Sequence, residues 1–171
     1  MTVEHKSRRQ DLKRAIKALA KCNVRVGIPA ESGERADGAP NNAVLGYLHE
    51  YGQPERNIPA RPWLVPGVEG EMDKIGARLA KGSVEAIRAA MTGPQGERAG
   101  RAVAERTLDD VGLMAVSAVR ARIVAGIAPP LSARTVYARL HRKKGRRTAG
   151  KMTPLIDSGQ FLKAVTYIVE T

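Results

Sequence analysis

Cysteine is nearly missing from this chain of 171 residues, with Cys22 standing alone. One thiol cannot close an intramolecular bridge, which points to folding in a reducing compartment, and Cys22 itself is expected to act as a small buried apolar residue. Long apolar runs are missing too. The longest uncharged stretches, 38–49 and 123–133, fall well short of the roughly 20 residues that span a bilayer, so no membrane partner is expected. The N-terminus, MTVEHKSRRQDLKR, has charge but no apolar stretch behind it, and no secretory signal is read there. A single domain over 1–171 is expected, able to bury about 70% of its unfolded surface without metal or disulfide.

Reactive motifs are equally scarce. There is no Gly-x-Ser-x-Gly elbow, no Gly-x-Gly-x-x-Gly and no Walker loop. HEYGQ, from His49, begins like a zinc-protease signature, in which two histidines four residues apart hold the metal; here the second position is Gln53, and Gly52 ends the helix before it. The other two histidines, His5 and His141, lie in basic segments, and Cys22 has no partner at metal-ligand spacing. Asp109 and Asp110 are helix neighbours and point in different directions, which does not suit paired acid and base. No cofactor is expected, and an enzyme is disfavoured.

Positive charge, by contrast, is in excess. The formal net charge is +12, and residues 131–171 hold 9 basic groups against 2 acidic ones. Such a field favours acidic partners without saying which. The run Arg139, Arg142, Lys143, Lys144, Arg146, Arg147 and Lys151 could neutralise several phosphates or meet an acidic neighbour in an assembly. No aromatic residue lies inside it, Tyr137 being the nearest, so the interleaved rings of a single-strand platform are absent.

Periodicity gives the elements. SRRQDLKRAIKALAK (7–21) reads as an amphipathic helix, and VRVGI (24–28) as a short strand stopped by Pro29. Residues 29–42 form an extended loop, after which Asn41 or Asn42 caps a helix with Val44, Leu48 and Tyr51 on one face and Gly52 at its C-terminal end. Val68, Met72, Ile75 and Leu79 open a second helix running to Met91, with an interruption at Gly82-Ser83; a third spans 97–126. The stretch 132–152 starts as a helical turn and becomes a basic loop (139–152). Asp157 or Ser158 caps a final helical turn before a strand carrying Val165, Tyr167 and Val169. The fold class is therefore α+β: a small, mainly antiparallel sheet, with 24–28 and 163–169 paired, packed against two or three helices, with long interface loops.

The densest constraint lies in HEYGQPERNIPARPW (49–63). Pro54, Pro59 and Pro62 stiffen the backbone, and Arg61 between two of them holds its donor fork in a defined direction. Glu50, at the end of the preceding helix, is the expected local carboxylate partner of Arg61, and Trp63 is expected to anchor the segment on the core, on the sheet side.

Three blocks taken together carry a resemblance: His49-Glu50-Tyr51-Gly52, then Ile58-Pro59-Ala60-Arg61-Pro62-Trp63, then Pro154-Leu155-Ile156-Asp157-Ser158-Gly159. Their order resembles the tail-completion or neck proteins of long-tailed bacteriophages, including virion-morphogenesis proteins of Mu-like phages. The resemblance covers 24–66 and 129–169; Trp63 stands where phenylalanine is commoner in that family, and Ser158 where threonine is. It implies a non-enzymatic virion protein that forms a hexameric ring at the head-tail junction and joins the tail tube to the capsid connector. The implied partners are copies of itself and the neighbouring connector, head-completion, terminator or tube proteins, with DNA in the channel; the implied locations are the virion and, during assembly, the host cytoplasm. The alternative is a DNA-binding protein that uses the C-terminal basic segment.

Overall fold

The computed structural model describes residues 2–31, 40–93, 95–142 and 152–171, with side chains of the first helix described from residue 9. The elements run α1 (Thr2–Leu19), β1 (Asn23–Gly27), α2 (Asn42–Tyr51), a 3₁₀ turn (Pro54–Arg56), α3 (Val65–Glu69), α4 (Met72–Ala90), α5 (Gly96–Ala125), α6 (Ala133–Leu140), α7 (Gln160–Ala164) and β2 (Thr166–Glu170). β1 and β2 pair antiparallel, so the molecule is a small α+β fold. No helix among the described residues is long and apolar enough to cross a membrane.

The chain's contacts gather into two compact units. The first holds Met1–Val26, Glu71–Ala115 and Tyr167–Thr171, that is α1, the strands, α4 and the first part of α5. Its core includes Ile75, Ala86, Ala104, Leu108 and Val111. Glycines on the helices admit close neighbours: a Cβ on Gly82 of α4 would fall 2.2 Å from the Thr107 side chain of α5, and one on Gly112 of α5 would fall 2.2 Å from the Tyr167 ring of β2. Close packing explains why α4 continues through Gly82-Ser83, where low propensity alone suggests an interruption. The actual break falls at Gly70-Glu71, where the chain passes from one unit to the other. Asp109 and Asp110 do diverge, Asp109 accepting from the Tyr167 hydroxyl at 3.3 Å and Asp110 from Arg78 at 2.7 Å. Cys22 is half-buried, with its Sγ 3.4 Å from the Ala18 carbonyl.

The second unit holds Gly27–Gly70 and Val116–Thr166, and so α2, α3, the end of α5, α6 and α7. Trp63, Val119, Ile123, Ile127, Ile156, Phe161 and Val165 form its core. Trp63 does anchor the proline-rich segment, its ring packed on Gly46 and edge-on to Phe161 within this unit. α2 also turns differently from its hydrophobic spacing. The helix buries Asn42, Gly46 and Glu50, while Val44 and Tyr51 are exposed. Two tertiary demands outweigh the apolar pattern: Gly46 lies beneath the Trp63 ring, 3.1 Å from a Cβ placed there, and the Glu50 carboxylate is used inside.

Candidate functional site

The site grows from the end of α2. Asn41 caps the helix, its Oδ1 accepting from the Ala43 N–H at 2.6 Å. At the other end Gly52 takes φ 76°, ψ 171°, and a Cβ there would lie 2.6 Å from the Ala60 nitrogen, so only glycine fits. The chain then folds back on itself. Gln53 and Ile58 exchange both backbone hydrogen bonds around the 3₁₀ turn, at 2.7 and 3.0 Å, with Asn57 left-handed at φ 54°. The Arg61 N–H donates to the His49 carbonyl at 2.6 Å, and Trp63 Nε1 donates to the Gly46 carbonyl at 3.0 Å. Prolines at 54, 59 and 62 remove competing donors along this clasp.

Glu50 does not pair with Arg61. Its Oε2 accepts from the backbone N–H groups of Trp63 at 2.7 Å and Leu64 at 2.9 Å, and its Oε1 from Val65 at 3.2 Å. These N–H groups open α3, which has no side-chain cap of its own. A carboxylate supplied from α2 therefore takes the place of an N-cap and meets the positive end of the helix. Arg61, buried, goes elsewhere: its Nε donates to the Pro129 carbonyl at 2.8 Å and its Nη2 to that of Pro130 at 3.0 Å. Main-chain groups satisfy both ions separately, which removes any need for the expected pair.

The third block is held in the same way. Arg139 lies on α6 with its side chain only 8% exposed, and its Nη1 donates to the carbonyls of Ile156 at 2.8 Å and Thr153 at 3.2 Å. It is thus turned inward, away from the phosphate-binding role considered for it. Arg142 Nη1 meets both oxygens of Asp157, at 2.7 and 2.8 Å. Asp157 is consequently engaged with arginine and is not the helix cap; Gly159, left-handed at φ 81°, occupies the N-cap of α7, and Ser158 Oγ is 3.5 Å from the Gln160 N–H. Pro154 is buried beside this turn. Lys143, Lys144, Arg146, Arg147 and Lys151 lie outside the described residues, as do 32–39 of the first loop.

All three blocks meet around one cleft of about 490 Å³ in the second unit, lined among others by His49, Arg61, Ser132, Arg139, Asp157 and Phe161. The Phe161 ring stands edge-on to Trp63, with centroids 5.0 Å apart, and edge-on to His49 at 6.2 Å. Burial, and then the Arg61 charge, lowers the His49 pKa from its ordinary value. Its Nδ1 is buried and has no hydrogen-bond partner among the described residues. Among the described residues no three of His, Cys, Asp and Glu come together as a metal site.

Two contributors were not foreseen. Arg122 Nε donates to the Pro62 carbonyl at 2.9 Å, and Arg120 Nη2 to that of Val165 at 2.8 Å. Both sit late in α5, where helical spacing identifies the apolar face but gives no sign of which carbonyls its arginines will reach. Comparison with family models, curated proteins and solved structures yields no match.

Proposed function

We propose that the chain is a structural virion protein that forms a ring at the head-tail junction of a long-tailed phage and joins the tail tube to the capsid connector. The observation that supports this reading best is how the three blocks spend their charges. Glu50, Arg61 and Arg139 all bind main-chain groups, fixing backbone far apart in sequence into one unit. Charge used in this way serves to shape a subunit. A head-to-tail contact repeated by identical subunits closes into a ring when the rotation between neighbours divides a full turn.

The test is electron microscopy and native mass spectrometry of the purified chain. Closed rings of one stoichiometry support the reading; a monomer at every concentration, or turnover of a substrate, contradicts it. Binding of duplex DNA through the basic segment is the second reading, motivated by the 9-to-2 excess of basic groups over 131–171. A monomer that shifts duplex DNA at about 0.2 M salt would favour it over the ring.

A further inference from the structure

We propose that the cleft of the second unit binds a carboxylate carried on a small apolar group, with Arg61 as the cation that receives it. This binding site goes beyond the ring reading and does not depend on it.

Arg61 is only 7% exposed, yet no carboxylate among the described residues answers its charge. One side of its guanidinium is used: Nε and Nη2 donate to the carbonyls of Pro129 and Pro130. The end of the fork is left over. Nη1, and the second hydrogen on Nη2, have no partner among the described residues, and Nη1 is unpaired without being closed off from solvent. Arg61 lines the cleft, so this end offers two neighbouring N–H donors to an anion, the arrangement that a carboxylate accepts with both oxygens.

The nearby acids are committed elsewhere. Glu50 accepts from three backbone N–H groups, and Asp157, on the cleft wall, has both oxygens within 2.8 Å of Arg142 Nη1. A buried cation met only by carbonyl dipoles gains from an anion that enters beside it. The chain adds positive potential at the same place. Pro129 and Pro130 lead into α6, whose N-cap Ser132 also lines the cleft. Ser132 Oγ accepts from the Thr135 N–H at 3.3 Å, which leaves the N–H groups of Ala133 and Arg134 without an acceptor inside the helix.

Lining and size give the rest of the ligand. Leu45, Ile58, Leu131 and Phe161 offer hydrocarbon walls, and about 490 Å³ is the size of a small-molecule site, more than a bare ion fills. One unanswered charge matches one carboxylate. A phosphate dianion would call for a second cation, and Arg139, on the same wall, is turned to the carbonyls of Thr153 and Ile156.

Ligand-observed NMR at constant ionic strength tests the site with 4-methylpentanoate, its uncharged amide and inorganic phosphate. The acid should bind saturably in the millimolar range, and the amide and phosphate at least about tenfold more weakly. Thr135→Glu places a carboxylate on the exposed rim of the cleft at a helix position that favours glutamate, so this variant should melt no lower than the wild type and lose the acid about tenfold. Equal binding of the amide, or undiminished binding by the glutamate variant, overturns the proposal, as does no binding of the acid. Phosphate binding as tightly as the acid would mean an adventitious anion only and overturns it too. The same chemistry occurs at the end of a protein chain, and Gly-Gly-Gly-Leu with a free C-terminus separates the two sources: tighter binding than the free acid supports a chain end, and equal or weaker binding supports a small acid.

Discussion

The Glu50 carboxylate holds the backbone N–H of Trp63 at 2.7 Å across 13 residues of chain. Together with its bonds to Leu64 and Val65, this contact makes one side chain of α2 the cap of α3. Glu50→Ala leaves those N–H groups without their acceptor inside the protein, and a loss of about 3 kcal/mol is expected. Glu50→Gln keeps the shape but turns one acceptor into a donor facing N–H groups, so it recovers only part of the loss. Chemical denaturation of both variants measures the difference; wild-type stability in the alanine variant would refute the capping role.

Arg61 bridges two consecutive carbonyls, Pro129 and Pro130, with two different nitrogens. Lysine cannot reproduce that fork. Arg61→Lys and Arg61→Ala should therefore both destabilise by about 2 kcal/mol, with little rescue by the retained charge. A lysine variant that melts like the wild type would mean that charge alone, without fork geometry, suffices.

The two described arginines of the basic segment differ in burial. Arg139→Ala removes a buried donor from two carbonyls and is expected to lower stability by about 2 kcal/mol. Arg142→Ala breaks a partly exposed pair with Asp157 and should cost less than about 1 kcal/mol. Neutralising Lys143, Lys144, Arg146 and Arg147 together should leave melting unchanged while impairing head-tail joining. Normal yields of infectious particles from that variant would remove these four residues from the mechanism.

The His49 pKa is lowered by burial and by the Arg61 charge from an ordinary value of 6.5. Between its folded and unfolded values the unfolded chain binds more protons, so stability rises with pH in that window and is lost as pH falls below about 6.5. The slope from this single group is at most about 1.4 kcal/mol per pH unit. Melting temperature should thus fall more for the wild type than for His49→Gln between about pH 7.5 and pH 5, and parallel profiles would contradict the assignment.

In the first unit, Gly82→Ala sets helix propensity against packing. Propensity alone favours alanine by about 1 kcal/mol. The new Cβ, 2.2 Å from Thr107, should outweigh that gain and give a net loss of about 1–2 kcal/mol. Thermal denaturation decides the sign.

Local signals in the sequence carried the elements well and their side-chain partners poorly. Strand pairing of 24–28 with the C-terminal segment followed from alternation and turn residues, and the Asn41 cap and the Gly52 helix end followed from their chemistry. Rotation of α2 did not, because spacing of Val44, Leu48 and Tyr51 says nothing of a tryptophan that must lie on Gly46 or of three N–H groups that need a carboxylate. The expected Glu50–Arg61 pair failed for the same reason. The place of Glu50 at the end of the preceding helix made it attractive, but each ion found main-chain partners, Arg61 as far as 69 residues away. Gly82 teaches the complementary lesson: a residue that reads as a helix breaker serves as a notch for Thr107.

Whether this chain is one of several identical subunits in a closed ring is tested most directly by the mass of the purified, native protein at increasing concentration. A single multi-copy species that persists on dilution, with a central opening in electron micrographs, is the predicted result. A particle of one chain's mass throughout, or open-ended aggregates without a defined number of copies, would contradict it.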